Sequence, residues 1–133
     1  MYSTNYTDAF IAVSPDCPAK RGEAPAGEGT IAGLQYQLLR NRPYELTSDE
    51  LLFEIHRRRK AIPEDELAEA REAFFAEPKA CLRCSPLAKR FGWGLHHDAR
   101  SRVAIYPVES EDYRRLSGQA GLQVVRAMRN RKG

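Results

Sequence analysis

The feature that most constrains the fold is a pair of strand-like segments near the C-terminus. Residues 93–97 and 102–108 are rich in strand-forming side chains, and the small or polar residues 98–101 separate them. This pattern predicts an antiparallel β-hairpin with a four-residue loop. With that loop length, Trp93 faces Tyr106 across the hairpin as an aromatic pair.

Side-chain alternation along the first of these strands separates two neighbouring histidines. Gly92, Gly94 and His96 share one face, and Trp93 and His97 share the other. The two glycines leave space beside the His96 imidazole. Such space serves either the close approach of another element or the entry of a ligand, and the sequence leaves both readings open.

The remaining pattern predicts one further strand and several helices. Residues 9–14 are apolar on both faces, which is typical of a buried strand. Helical spacing and capping signals predict helices at 30–40, 47–60, 63–77, 85–90, 110–116 and 119–129. The expected fold is therefore α+β, with a small antiparallel sheet (the N-terminal strand plus the C-terminal hairpin) packed against three to five helices. A winged-helix arrangement is the alternative.

Length and composition set the domain count and the class of protein. A chain of 133 residues suits one domain, expected at 1–118, followed by a basic C-terminal helix or tail at 119–133. We see no secretory signal and no apolar run near the ~20 residues that span a bilayer. Three cysteines fit a reducing compartment. We therefore expect a cytoplasmic protein that does not bind a membrane.

The first functional hypothesis is a domain that binds a small molecule or an anion, with or without catalysis. The Ser85-Pro86 turn offers free N–H groups at a helix start, and Lys89 and Arg90 follow it. Trp93 and His96 come next in the chain. In this reading His96 is the acid–base candidate, because the ordinary pKa of histidine lies near neutrality.

The second hypothesis is a module that binds protein or nucleic acid without catalysis. Its basic segments are 57–60 and 126–132, and residues 113–133 carry six basic side chains and no acid. Contacts from these segments to phosphates would weaken steeply with salt. The acidic stretch 64–77 is complementary to either segment, which makes a homodimer a further possibility.

The third hypothesis is a zinc site. Cys81 and Cys84 have the spacing of a chelating pair, and His96 is the candidate third ligand. The ligand set is incomplete, because His96 and His97 point to opposite faces of one strand. Ordinary buried thiols are the competing interpretation. No other motif predicts a cofactor.

The chain resembles a small bacterial family of uncharacterised proteins. The resemblance rests on D-C-P at residues 16–18 and on S-P-L-A-K-R-F-G-W-G-L-H at residues 85–96, and it covers most of residues 3–116. It implies a role for Gly92, Trp93, Gly94 and His96. The Cys-x-x-Cys pair and His97 lie outside the pattern, which weakens the zinc hypothesis and favours His96 over His97 as the site histidine. The family has no assigned activity, so the resemblance implies none.

Overall fold

The fold is organised by a four-stranded sheet in a computed structural model that describes residues 1–131. The strands are β1 (Ala9–Ala12), β2 (Trp93–His97), β3 (Val103–Pro107) and β4 (Gln123–Arg126), in the order β3-β2-β1-β4. β1 is antiparallel to β2, and β2 is antiparallel to β3, as expected. β4 is parallel to β1, so the α+β class is confirmed with a mixed sheet.

Strand β4 replaces the helix predicted at 119–129. Leu122, Val125 and Met128 have helical spacing, but the two adjacent valines of this segment are equally suited to a strand. β1 is buried along its whole length and needs a hydrogen-bonding neighbour on each side. β2 occupies one side of β1, and β4 fills the other. That tertiary requirement outweighs the local helical pattern.

In the part of the chain that the structure describes, five helices surround the sheet. They are α1 (Ile31–Asn41), α2 (Ser48–Arg59), α3 (Leu67–Phe75), α4 (Pro86–Lys89) and α5 (Glu111–Ser117), with short 3₁₀ turns at Glu64–Glu66 and Leu82–Cys84. The predicted capping box of α2 is confirmed: Thr47 accepts from the Glu50 amide, and the Glu50 carboxylate accepts from the Thr47 amide. No helix among residues 1–131 is long and apolar enough to cross a membrane.

The two faces of the sheet are covered unequally. Ile11 and Leu95 point to a large apolar cluster that contains residues of α1, α2 and α4. Phe10 and Ala12 point the other way, to a small cluster completed by Leu116 of α5. The winged-helix alternative does not hold, because the hairpin is part of this central sheet.

The hairpin register differs by one residue from the prediction. Trp93 faces Pro107, and Gly94 faces Tyr106, because the loop spans five residues, 98–102. The Asp98 carboxylate accepts from the Arg100 and Arg102 amides, and Ser101 has a left-handed φ of 65°. A one-residue shift moves every β3 side chain to the opposite face. The predicted Trp93–Tyr106 pair is therefore wrong, and Tyr106 lies on the face of His96.

Candidate functional site

His96 belongs to a chain of three polar aromatic side chains. Its Nδ1 lies 2.7 Å from the Tyr44 hydroxyl, which in turn lies 2.6 Å from the Tyr106 hydroxyl. Burial lowers the pKa of His96 below its ordinary value, and burial with the Tyr106 hydrogen bond raises the pKa of Tyr44. A neutral imidazole and a protonated phenol are the forms that this arrangement favours.

The space that the glycines free is filled by the protein itself. A Cβ at Gly94 would collide with Phe10 and would lie 2.7 Å from Cε2 of Tyr113. Gly92 has a φ of +81°, and a Cβ there would collide with the Arg21 carbonyl oxygen. Both glycines therefore permit close packing of neighbouring elements, which is the first of the two readings of the sequence.

Ser85 and Trp93, both predicted as ligand-binding residues, make internal contacts. The buried Ser85 hydroxyl donates to Gln35 Oε1 at 2.6 Å and accepts from the Leu87 amide, which caps α4. The buried Trp93 indole donates to the Glu23 carbonyl oxygen at 2.8 Å. Trp93 and His96 lie on opposite faces of β2. The predicted site residues are thus not gathered around His96.

Lys89 and Arg90 instead meet the C-terminal segment of the chain. Asn130 Nδ2 donates to the Lys89 carbonyl oxygen at 2.8 Å, and Arg90 Nε donates to Asn130 Oδ1 at 3.4 Å. The end of α4 is therefore a docking point for residues that follow β4.

Asp16 holds the same C-terminal segment from the other side. Its carboxylate accepts from the backbone amides of Asn130 and Arg131, each at 3.0 Å, and from the Ser14 hydroxyl at 2.6 Å. The Ser14 hydrogen bond, together with the Asn130 and Arg131 amides, holds the pKa of Asp16 well below its ordinary value. This contact gives the Asp-Cys-Pro motif a structural role.

The docked C-terminal segment and the turn before α4 together form a basic concavity of 390 Å³. We call it the arginine groove. Its lining residues are Pro15, Arg83, Arg126, Ala127, Met128, Arg129 and Arg131. An adjoining concavity of 260 Å³ contains Asp16, Pro18, Arg90, Asn130 and Arg131. Lys132, the last basic residue of the predicted 126–132 segment, lies outside the described residues.

The charged side chains that line the arginine groove are all positive. No carboxylate lines it among residues 1–131, and none of its four arginines belongs to an ion pair in that range. Arg83 Nε donates to the Arg126 carbonyl oxygen at 2.7 Å, and the Met128 amide donates to the Arg83 carbonyl oxygen at 2.8 Å. These bonds hold Arg83 against β4 and leave its terminal guanidinium nitrogens available.

The sequence patterns place Arg90 in one hypothesis and residues 126–132 in another. The structure brings them to neighbouring concavities, because β4 runs parallel to β1 and ends beside the turn before α4. The signal that would have joined them is the preference of the two valines of β4 for a strand. The other basic segment, 57–60, is divided: Arg57 and Arg58 pair with Glu54, whereas Arg59 and Lys60 line a different concavity.

The cysteine pair does not form a metal-ligand group with His96. Cys81 Sγ lies 3.2 Å from the Tyr6 hydroxyl, and Cys84 is exposed. Within residues 1–131, no group of three or more histidine, cysteine, aspartate or glutamate side chains is arranged to hold a metal ion.

Comparison with known proteins places the chain in a family without supplying an activity. Searches of curated proteins and of solved structures found no match. A family model does match, along residues 1–133, and its description is a family of unknown function. The chain therefore belongs to this family, DUF6157.

Proposed function

We propose that this protein is a binding domain for phosphate-bearing anions and that the arginine groove is its site. The observation that carries the proposal is the convergence of four arginines from two separate chain segments on one concavity without a lining carboxylate. The larger concavity is the favoured position for the phosphate, because Asp16 lines the adjoining one.

The chemistry of arginine supports phosphate as the bound group. A guanidinium presents several N–H donors in a planar fork that matches two oxygens of a phosphate. Arg126, Arg129 and Arg131 are exposed, and Arg83 is held by its Nε hydrogen bond. A donor that is already held in place loses less conformational entropy on binding.

Two sources can supply such a phosphate: a small phosphorylated molecule or the backbone of a nucleic acid. No aromatic side chain lines the groove in the described part of the chain, so base stacking contributes nothing there. A volume of 390 Å³ suits a small ligand. We therefore favour the small molecule and treat nucleic acid as the second arm of the test.

The test measures the affinity of pyrophosphate by calorimetry at low salt. The variant is R83Q/R126Q, and the matched control is R100Q, which removes an exposed arginine from the hairpin loop. We expect the double variant to bind about a hundredfold more weakly, because it loses two charged hydrogen bonds worth ~1.5 kcal/mol each. We expect R100Q to bind like the unmodified protein.

The second arm uses a mixed-sequence oligonucleotide over a range of salt concentrations. If nucleic acid is the source, R83Q/R126Q reduces the slope of log affinity against log salt by about 2. If pyrophosphate alone binds, the source is a small molecule. Absence of binding in both arms, or equal losses in R100Q and R83Q/R126Q, would overturn the proposal.

A further inference from the structure

A second concavity, lined by more apolar side chains than the arginine groove, lies between α1, α2 and the segment after α3. Its volume is 270 Å³, and Ile31, Leu52, Ile55 and Phe74 form its apolar wall. A neighbouring concavity of 300 Å³ shares Ile31 and Leu52, so the two form one continuous depression. We call it the apolar groove. Its wall suits the apolar body of a ligand.

The rim of the apolar groove is cationic. Arg59, Lys60 and Lys79 line it, no carboxylate does so among the described residues, and none of the three is in an ion pair there. The Lys79 Nζ lies 4.3 Å from the centre of the Phe74 ring, at the junction of wall and rim. Positive charge therefore meets apolar surface at one defined place.

The C-terminus of α2 does not cancel this charge. The amides of Lys60, Ala61 and Ile62 donate to the last carbonyl oxygens of the helix, those of His56, Arg58 and Arg57. Unpaired carbonyl oxygens at a helix C-terminus carry partial negative charge that would attract nearby cations. Because these three carbonyl oxygens already accept hydrogen bonds, the cationic side chains at the end of α2 remain available to a ligand.

We propose that the apolar groove binds a small amphipathic carboxylate. Its apolar body lies against Ile31, Leu52 and Phe74, and its carboxylate lies at Lys60 and Lys79. A carboxylate is the favoured head group because Lys60 and Lys79 present compact ammonium charges, whereas the four guanidinium groups of the arginine groove match the oxygens of a phosphate. This site is independent of the proposed phosphate site.

His56 provides a reporter inside the groove. Its ring centre lies 4.6 Å from that of Phe74, and burial, then Lys60 and Lys79, lower its pKa below the ordinary value. A carboxylate bound beside these lysines offsets their charge. Binding therefore raises the pKa of His56, which is measurable from its imidazole resonances as a function of pH.

The experiment titrates the full chain with octanoate and follows His56 by NMR. Two control ligands separate the parts of octanoate. Octanol has the same eight-carbon chain without a carboxylate, and acetate has the carboxylate without the long apolar chain. We expect octanoate to bind most tightly and to be the ligand that raises the pKa of His56. Octanol binding as tightly as octanoate, or octanoate binding no better than acetate, would refute the carboxylate site.

Two variants locate the site. K79M keeps the apolar stem and removes the charge, and K20M is its control at an exposed position outside the groove. We expect K79M to weaken octanoate binding about fivefold to tenfold and K20M to leave it unchanged. R83Q/R126Q should also leave it unchanged, which separates this result from the phosphate test. Equal losses in K79M and K20M would contradict the assignment.

Discussion

His96 and His97 are neighbours in one strand and have opposite surroundings. His97 is completely buried, and neither ring nitrogen has a hydrogen-bond partner in the described structure. His96 is half-buried, and its Nδ1 forms a hydrogen bond with the Tyr44 hydroxyl. The difference follows from side-chain alternation, which turns His97 toward the large cluster and His96 toward α5. Residue type alone therefore does not identify a functional histidine; the face of the strand decides its environment.

The two faces also differ in what they tolerate. On the His97 face, the buried imidazole and the Tyr6 ring are in a T-shaped arrangement with their centres 5.3 Å apart. The His96 face depends on the absence of a side chain at Gly94 and on hydroxyl hydrogen bonds. One face is thus sensitive to protonation, and the other is sensitive to added volume.

The largest expected effect is on the His96 face. Gly94→Ala places a Cβ into Phe10 and Tyr113, and overpacking of this kind costs about 3 kcal/mol or more of unfolding free energy. Urea denaturation measures it. The control is Gly118→Ala, where the nearest atom to the new Cβ is 4.0 Å away. Similar stabilities of the two variants would show that the α5 face is not tightly packed.

The next effect concerns the His97 face. Burial lowers the pKa of His97 to about 4, below its ordinary value of 6.5, so the unfolded chain binds the proton more readily. The contribution of the neutral His97 imidazole to the free energy of unfolding is fully present above the pKa of histidine in the unfolded chain. It is lost progressively as the pH drops toward 4. We expect a loss of about 2 kcal/mol between about pH 7 and about pH 5.

His97→Leu should remove the largest part of that pH dependence and leave the part that comes from the lowered pKa values of His56 and His96. Leucine removes both unpartnered nitrogens, so the variant is expected to be at least as stable as the unmodified protein near neutrality. Urea denaturation at several pH values compares the two proteins. The same fall in stability in both would mean that another group carries the pH dependence.

The smallest effect is on the hydrogen bonds of the His96 face. Tyr44→Phe removes the hydroxyl that joins His96 and Tyr106, at an expected cost of about 1 kcal/mol. Tyr2→Phe is the control, because the Tyr2 side chain is exposed. Thermal unfolding should separate the two variants. No difference between them would mean that water replaces the Tyr44 hydroxyl without loss.

Local signals predicted the helices better than they predicted the sheet. The Thr47–Glu50 capping box and the Ser85 cap are interactions within a few residues, and the structure confirms both. The hairpin register depended on a turn closed by the Asp98 carboxylate with a left-handed Ser101. A loop one residue longer than expected was enough to move Tyr106 to the face of His96.

The candidate site depended on contacts that join distant parts of the chain. The arginine groove exists because β4 pairs with β1 and because Asp16 binds the amides of Asn130 and Arg131. The two valines of β4 favour a strand, but no short sequence window shows that this strand pairs with β1 or that Asp16 binds the C-terminal segment. Arg83, Arg90 and the C-terminal arginines were each recognisable as basic, but their proximity is a property of the tertiary fold.

The most direct test of the proposed function observes the arginines themselves. The Nε–H group of Arg83 is hydrogen-bonded to the Arg126 carbonyl oxygen, and that of Arg57 to Glu54, so both should give slowly exchanging NMR signals. During a pyrophosphate titration at low salt, we expect a saturable shift of the Arg83 signal and none of the Arg57 signal. Equal shifts of both signals, or no shift of either, would contradict a phosphate site in the arginine groove.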